Sequence, residues 1–94
     1  MSGTDSSTFE TEEMRPVAAW CDGADVNVRL KDGRTIAAPL WWYPFLSGSS
    51  IEQLNAIELM FEGIWWDHVD EGISVKSMFL GRKMPNAVEP RQAA

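Results

Sequence analysis

The residues able to do covalent or metal chemistry are few in this chain of 94 residues. His68 is the one histidine, and an imidazole beside carboxylates such as Asp67 and Asp70 can bind a divalent ion. A second histidine and a cysteine pair are missing, as is the spacing of a calcium-binding loop, so we interpret His68 as part of a solvated loop. The sequence therefore predicts no metal site and no cofactor.

Nucleophilic catalysis has equally little support. Cys21 is the one cysteine, and a thiol needs an adjacent general base to act as a nucleophile. It stands beside an Asp-Gly turn and far along the chain from His68, which favours a small core or edge residue. Ser49 and its neighbours lack the frame of a nucleophile elbow, and Ser50 has a helix-capping role. We predict that the protein is not an enzyme.

Two aromatic runs are candidates for binding rather than catalysis. Trp41 and Trp42 precede Tyr43, and Trp65 precedes Trp66. Neighbours in an extended segment point to opposite faces, so one member of each pair can fill the core and the other can remain at the surface. Packing in the core of a small domain explains most of these rings, and an exposed anchor at Trp41 or Trp65 is the functional alternative.

Charge is distributed unevenly along the chain. The whole chain has eight basic and fourteen acidic residues, for a net charge of -6, and no lysine or arginine lies between Thr35 and Val75. The carboxylates of that stretch are Glu52, Glu58, Glu62, Asp67, Asp70 and Glu71. An uncompensated acidic surface projects a field of one sign, which serves either solubility alone or contact with a basic partner.

The same composition opposes several other functions. Direct binding of nucleic acid needs clustered lysine and arginine, so we expect none. The longest apolar run is well short of the roughly 18 residues of a membrane helix, so we expect no membrane partner. A single cysteine cannot form an internal disulfide. A signal peptide begins with basic residues and continues with an apolar stretch, whereas the first residues here are acidic. The sequence therefore predicts no signal peptide, and we expect a cytoplasmic protein.

Alternating and turn residues predict the strands. Residues 17–20 form a short apolar run, and residues 26–30 alternate apolar and polar side chains. Asp32-Gly33 then predicts a hairpin to residues 35–38, with positive φ at both turn positions, and Pro39 ends the return strand. Pro44 limits the following aromatic run to a single helical turn or irregular chain.

The main helix is predicted at residues 50–61. Ser50 and Gln53 fit a capping box, and Gly63 fits a helix C-cap. The apolar face of this helix comprises Ile51, Leu54, Ile57 and Phe61. A strand at 64–66, an acidic loop at 67–72 and a short helix after Ser74 follow, the last with Val75, Met78 and Phe79 on its apolar side.

These signals combine into an α+β fold. We predict one domain at residues 15–82, in which a small antiparallel sheet of about four strands is packed by one main helix, with a short C-terminal helix. Residues 1–14 are predicted as a flexible acidic tail and residues 83–94 as a second flexible tail.

The order of several short motifs resembles a known family. The motifs are Asp32-Gly33-Arg34-Thr35, Pro39-Leu40, Trp42-Tyr43-Pro44, Gly63-Ile64-x-Trp66, Asp70-Glu71-x-Ile73-Ser74-Val75 and Leu80-Gly81-Arg82. Over residues 30–82 the chain resembles the bacterial family catalogued as domain of unknown function 2442. Asp67 stands where the family usually has proline, Gly72 where it has an acid and Phe45 where it has a base.

The resemblance implies a small α+β domain to which no enzymatic activity is attached. Some members are fused to a helix-turn-helix module, and some are encoded beside another small protein, as toxin–antitoxin pairs are. Together with the acidic stretch, this leads to a hypothesis of a non-enzymatic protein that binds and inhibits a basic, nucleic-acid-binding partner, such as a toxin or a CRISPR effector subunit, as a nucleic-acid mimic. The alternative is an aromatic-anchored regulatory domain that pairs with a small neighbouring protein without mimicry.

Overall fold

The computed structural model describes residues 12–90, which form two three-stranded antiparallel sheets and two short helices. The α+β class is confirmed, with two sheets in place of the single one expected. The first sheet has the order β1 (Pro16–Cys21), β2 (Asp25–Leu30) and β3 (Thr35–Pro39). Strand β2 is its centre, and the alternation seen in the sequence buries Val26, Val28 and Leu30.

The predicted hairpin between β2 and β3 is present, with a different turn. The N–H of Gly33 donates to the carbonyl of Leu30 at 2.9 Å, and the N–H of Leu30 donates to the carbonyl of Arg34 at 2.8 Å. Gly33 has φ 99°, whereas Asp32 does not have positive φ. The expectation of two positive φ values was therefore wrong. The loop contains a four-residue turn that ends in a left-handed glycine, and the Asp32 side chain accepts from the N–H of Arg34.

The aromatic run after Pro39 forms two short 3-10 turns, Leu40–Trp42 and Pro44–Leu46. Tyr43 lies between them and is buried, and its hydroxyl has no hydrogen-bond partner within residues 12–90. Burial raises the pKa of Tyr43 to about 12. The ring of Tyr43 contacts that of Phe45, with centroids 6.1 Å apart, and the ring of Phe45 contacts that of Trp66, with centroids 6.0 Å apart.

The main helix is much shorter than predicted. Helix α1 covers Ile51–Leu54 only, although the predicted Ser50–Gln53 capping box is present in full. The indole N–H of Trp66 donates to the carbonyl of Leu54 at 2.9 Å, which is the carbonyl that a continuing helix would offer to the N–H of Glu58. The predicted apolar face also fails, because Ile51 is 53% exposed and Leu54 alone is buried.

Directly after α1, the side chain of Asn55 bonds to the backbone of β1. Its amide oxygen accepts from the N–H of Cys21 at 2.8 Å, and its amide nitrogen donates to the carbonyl of Cys21 at 3.0 Å. The side chain thus pairs with the free edge of β1 as a neighbouring strand would.

The second sheet has the order β4 (Glu58–Leu59), β5 (Gly63–Trp66) and β6 (Glu71–Ser74). Residues predicted as the last helical turns therefore belong to β4 and to the turn after it. Gly63 is not a helix cap. A Cβ atom at this position would collide with the carbonyl oxygen of Ile73, so the close approach of β5 and β6 requires glycine. The predicted loop at 67–72 is also shorter, because β6 begins at Glu71.

Helix α2 (Val75–Phe79) begins at Ser74, whose hydroxyl accepts from the N–H of Ser77 at 3.0 Å, as predicted. Val75 and Met78 are buried, but Phe79 is exposed, and the Arg34 guanidinium lies 5.9 Å from its ring centroid. One core joins both sheets and both helices, and its largest fully buried side chain is Trp66.

The packed region extends beyond residues 15–82 at both ends. Met14 is buried in the core, and Met84 packs against it, with its N–H donating to the carbonyl of Trp42 at 3.1 Å. The last residues of the predicted N-terminal tail form a 3-10 turn, Glu12–Met14. Residues 1–11 of that tail and residues 91–94 of the C-terminal tail lie outside the described residues.

Candidate functional site

Trp65 is an aromatic side chain held in place at the surface. It lies on β5 and is half-buried, on the opposite face of the strand from Trp66. Its indole N–H donates to Oδ1 of Asp67 at 3.0 Å. Its ring covers Gly72 so closely that a Cβ atom on Gly72 would lie 2.7 Å from the ring carbon Cε3. The hydrogen bond and the glycine together fix the orientation of the indole.

Three further carboxylates lie near this ring, one on its face of the sheet and two at an adjacent depression. Glu58 on β4 lies directly opposite Trp65 on β5, and Gly72 on β6 lies opposite Trp65 on the other side. The three residues therefore share one face of the sheet. Glu62 and Glu71 line an open depression of about 300 Å³ together with Trp65, Gly63 and Gly72. We call Trp65, Glu58, Glu62, Asp67 and Glu71 the Trp65 surface.

The structure brings together five of the eight residues predicted for partner binding. Asp70, the sixth, is exposed in the turn before β6, where its backbone has φ 55°. Glu52 is exposed on α1 and does not line the depression. Trp41 belongs to a different place: it is half-buried in a 3-10 turn, with its ring centroid 5.5 Å from Nζ of Lys83.

Sequence reasoning missed the residues that shape the depression. Met60, Gly63 and Gly72 line it, and all three fell in segments expected to be helix or loop. Leu59, Met60 and Phe61 are exposed, and a second depression of about 390 Å³ lies between them and residues 15–17. The apolar spacing that suggested a helical face was the signal available for this cluster, and it indicated the wrong element.

Cys21 is poorly suited to nucleophilic chemistry. Burial, reinforced by the negative charge of Asp22, raises the pKa of its thiol to about 11. The reactive species is the thiolate, which is scarce near neutral pH when the pKa is so high. The interpretation of Cys21 as a core residue is consistent with its burial at the end of β1.

One contact that the sequence did not suggest joins Ser49 and His68. Ser49 Oγ lies 2.9 Å from His68 Nε2, at the protein surface. A serine nucleophile needs a base that is itself oriented by a third group, and no hydrogen bond of residues 12–90 joins His68 to a carboxylate. Within the same residues, no three histidine, cysteine or carboxylate side chains gather in a metal-binding group. The helices described there are all too short to cross a bilayer.

Comparison with known proteins places the chain in a family. A family model described as "Protein of unknown function (DUF2442)" matches residues 16–83. The crystal structure of a protein of unknown function from Rhodospirillum rubrum ATCC 11170 is similar, with 31% sequence identity and a TM-score of 0.68, over 78% of this chain and 93% of that chain. No curated protein matches. The expected resemblance is thus confirmed, and the chain belongs to the DUF2442 family of proteins of unknown function.

Proposed function

We propose that the protein acts by binding, and that the Trp65 surface contacts a basic surface of a partner protein. The observation that supports this most directly is the fixed indole of Trp65, which bonds to Asp67, shares its face with Glu58 and adjoins the depression lined by Glu62 and Glu71. These residues fall in a stretch of forty-one positions, Thr35 to Val75, without lysine or arginine. The proposal combines two features that the sequence offered as alternatives, the aromatic anchor and the acidic field.

An aromatic side chain that is already oriented is a favourable anchor. Tryptophan is enriched among the residues that dominate binding energy, and a fixed rotamer loses less entropy on binding. Carboxylates around such an anchor attract a cationic surface during encounter and select its orientation. Repulsion from phosphates acts against direct binding of nucleic acid at the same place.

Basic surfaces on proteins commonly bind nucleic acid, so a protein that covers one acts as an inhibitor. We therefore propose that the partner is a nucleic-acid-binding protein, with a toxin or a CRISPR effector subunit as candidate classes, and that this protein competes with nucleic acid for it. This would be charge mimicry with a tryptophan anchor added.

A regulatory pairing without mimicry is the second candidate. The exposed apolar residues Leu59, Met60 and Phe61, beside the depression at residues 15–17, favour it. A partner bound mainly through these residues would bury apolar area and respond little to salt.

The two candidates are separated by paired charge reversals. One variant carries Glu58→Lys, Glu62→Lys and Glu71→Lys, and its control carries Glu13→Lys, Glu52→Lys and Glu89→Lys, all at exposed positions. Each variant changes the net charge from -6 to zero, since three reversals add six charges. Tagged protein of each kind is used to isolate partners from the native host, at two salt concentrations.

We expect the wild type and the control variant to retain the same partner, and the first variant to lose it. Added salt should weaken the complex, and nucleic acid should displace the protein from its partner. A complex that withstands salt, nucleic acid and the first set of reversals would contradict the proposal and favour the apolar contact instead.

A further inference from the structure

The hydrogen-bond ladder of the second sheet shows which peptide groups of β6 are free. The N–H of Val75 donates to the carbonyl of Glu62 at 2.9 Å, one residue beyond the register pair Gly63 and Ser74. In an antiparallel ladder this makes Gly63–Ser74 a non-hydrogen-bonded pair. Trp65–Gly72, two residues along, is then also non-hydrogen-bonded. The N–H and C=O of Gly72 therefore point away from β5.

These groups form a row at the open edge of the sheet. The N–H of Ser74 points the same way as that of Gly72, two residues apart along β6. Among residues 12–90, no strand pairs with this edge of β6. Gly72 is half-buried beneath the Trp65 ring, so one free peptide group lies directly beside the aromatic anchor.

The two edges of the first sheet differ in charge or are already partly satisfied. At β1, the amide of Asn55 occupies the N–H and C=O of Cys21. Strand β3 is joined to β2 by the hairpin that carries Lys31 and Arg34. Strand β6 combines a free edge with neighbouring carboxylates and an oriented tryptophan.

We propose that the open edge of β6 binds an extended segment of the basic partner as an additional strand. In this arrangement the segment exchanges two main-chain hydrogen bonds with Gly72 and accepts a third from the N–H of Ser74, whose carbonyl already accepts from the Ser77 hydroxyl at 2.8 Å. One of its apolar side chains packs on Trp65. Its lysine or arginine side chains, on the opposite face of the segment, lie toward Glu71, which pairs with Trp66 rather than with Trp65. This inference rests on the proposed function and specifies how the partner is recognised.

Charge complementarity identifies this occupant. An extended segment places alternate side chains on opposite faces, so it can present apolar side chains to Trp65 and cationic ones on its other face. A cationic segment meets Glu62 and Glu71 favourably, whereas an acidic one would be repelled. Edge strands are usually guarded by lysine or by a covering element. Strand β6 instead begins with Glu71, directly after Asp70, and these carboxylates deter acidic strands and admit basic ones.

The test uses a synthetic heptapeptide of alternating lysine and leucine, acetylated and amidated at its ends. Two versions carry N-methyl groups on alternate residues, in one register or the other, which removes N–H donors without changing charge or side chains. Binding to the full chain is measured by titration, and the amide signals of Gly72 and Ser74 are followed by NMR. The protein variants are Glu62→Lys with Glu71→Lys, and Glu89→Lys as the control.

We expect the unmodified peptide to bind and to shift the amide signals of Gly72 and Ser74. N-methylation in one register should weaken binding by up to about tenfold, because the main-chain hydrogen bond to the carbonyl of Gly72 is lost, and methylation in the other register should have little effect. The double variant should weaken binding about tenfold or more, and Glu89→Lys should not.

The outcomes separate this inference from the proposed function. Equal binding of both methylated peptides, with loss in the double variant, would overturn strand addition and leave the acidic binding surface standing. Binding that depends on the methylation register but is unaffected by the double variant would contradict the proposed function. It would also contradict recognition of the segment by charge complementarity. Absence of peptide binding would overturn the inference directly, because the partner-isolation experiment tests the function separately.

Discussion

At Cys21, burial raises the pKa of the thiol to about 11, and the negative charge of Asp22 adds to the shift. The folded state therefore favours the neutral thiol more than the unfolded state does. A raised folded-state pKa contributes stability that is present below the unfolded pKa of about 8.5 and is lost as the pH rises toward the folded value. The N–H and C=O of the same residue are held by Asn55, so the thiol is fixed at the end of β1.

This gives a prediction for alkaline stability. The free energy of unfolding of the wild type should fall between pH of about 8.5 and 11 more steeply than that of Cys21→Ala, which lacks the buried thiol. Urea denaturation of both proteins across this range measures the difference. At pH 8 the thiol should react slowly with a disulfide reagent in the folded protein and rapidly in urea. Rapid labelling of folded protein would show that the thiol is not buried.

Gly63 and Gly72 are required for a different reason, the close approach of β5 and β6. A Cβ atom at Gly72 would lie 2.6 Å from the carbonyl oxygen of Ile64, and one at Gly63 would collide with that of Ile73. By contrast, no atom lies within 4 Å of the corresponding position at Gly23. We expect Gly63→Ala and Gly72→Ala to destabilise the fold by about 1–3 kcal/mol or more, because backbone must move.

Gly23→Ala is the matched control and should be neutral or slightly stabilising, since alanine restricts the unfolded chain. Thermal unfolding of the three variants measures these effects. Equal stability in all three would mean that β5 and β6 are not in close contact. Gly72→Ala should in addition disturb the fluorescence of Trp65, whose ring covers the glycine.

At the scale of elements, local signals were predictable and the longer helix was not. The alternation in β2, the Asp-Gly hairpin and the caps at Ser50 and Ser74 depend on neighbours in sequence, and each is confirmed. Helix α1 ends early because the Trp66 indole, twelve residues away, bonds to the carbonyl of Leu54. Such a contact follows from tertiary packing, which residue spacing does not reveal.

The candidate site was predictable to a similar extent. Exposure of the carboxylates follows from their charge, and all six are exposed. Their grouping around Trp65 depends on the register of β4, β5 and β6, and β4 had been assigned to a helix. Glu52 and Trp41 were grouped with the site from composition, and the fold separates them from it.

The short helix α1 gives a prediction that distinguishes its two apolar residues. Leu54 is buried, and Ile51 is exposed, although both fall on the face first expected to be apolar. We expect Leu54→Asp to unfold the protein, because it removes apolar burial and places a charge in the core, at a cost of at least about 3 kcal/mol. Ile51→Asp should leave stability nearly unchanged. Circular dichroism during thermal unfolding compares the two, and equal losses would contradict the short helix.

At the scale of the whole molecule, the distribution of charge sets stability as well as recognition. Glu58 and Asp67 lie beside the Trp65 indole, and Glu62 and Glu71 line the depression next to it, so we expect these like charges to repel one another. Like charges held close together lower the free energy of unfolding. A binding surface made of such charges therefore reduces the stability of the protein. Salt screens this repulsion and should raise the melting temperature of the wild type.

The two triple reversals test where the repulsion arises. Both bring the net charge from -6 to zero, so an effect of net charge alone must be the same in both. We expect Glu58→Lys, Glu62→Lys and Glu71→Lys to stabilise the protein more, by roughly 1 kcal/mol, and to raise the melting temperature by about 4–8 °C at low salt. Glu13→Lys, Glu52→Lys and Glu89→Lys should give a smaller rise, because their carboxylates lie on other elements. The difference should shrink as salt is added, since screening removes the repulsion that the first variant relieves. Equal melting temperatures for the two variants at every salt concentration would show that the carboxylates around Trp65 do not interact, and the Trp65 surface would then lack the concentrated field on which recognition of a basic partner depends.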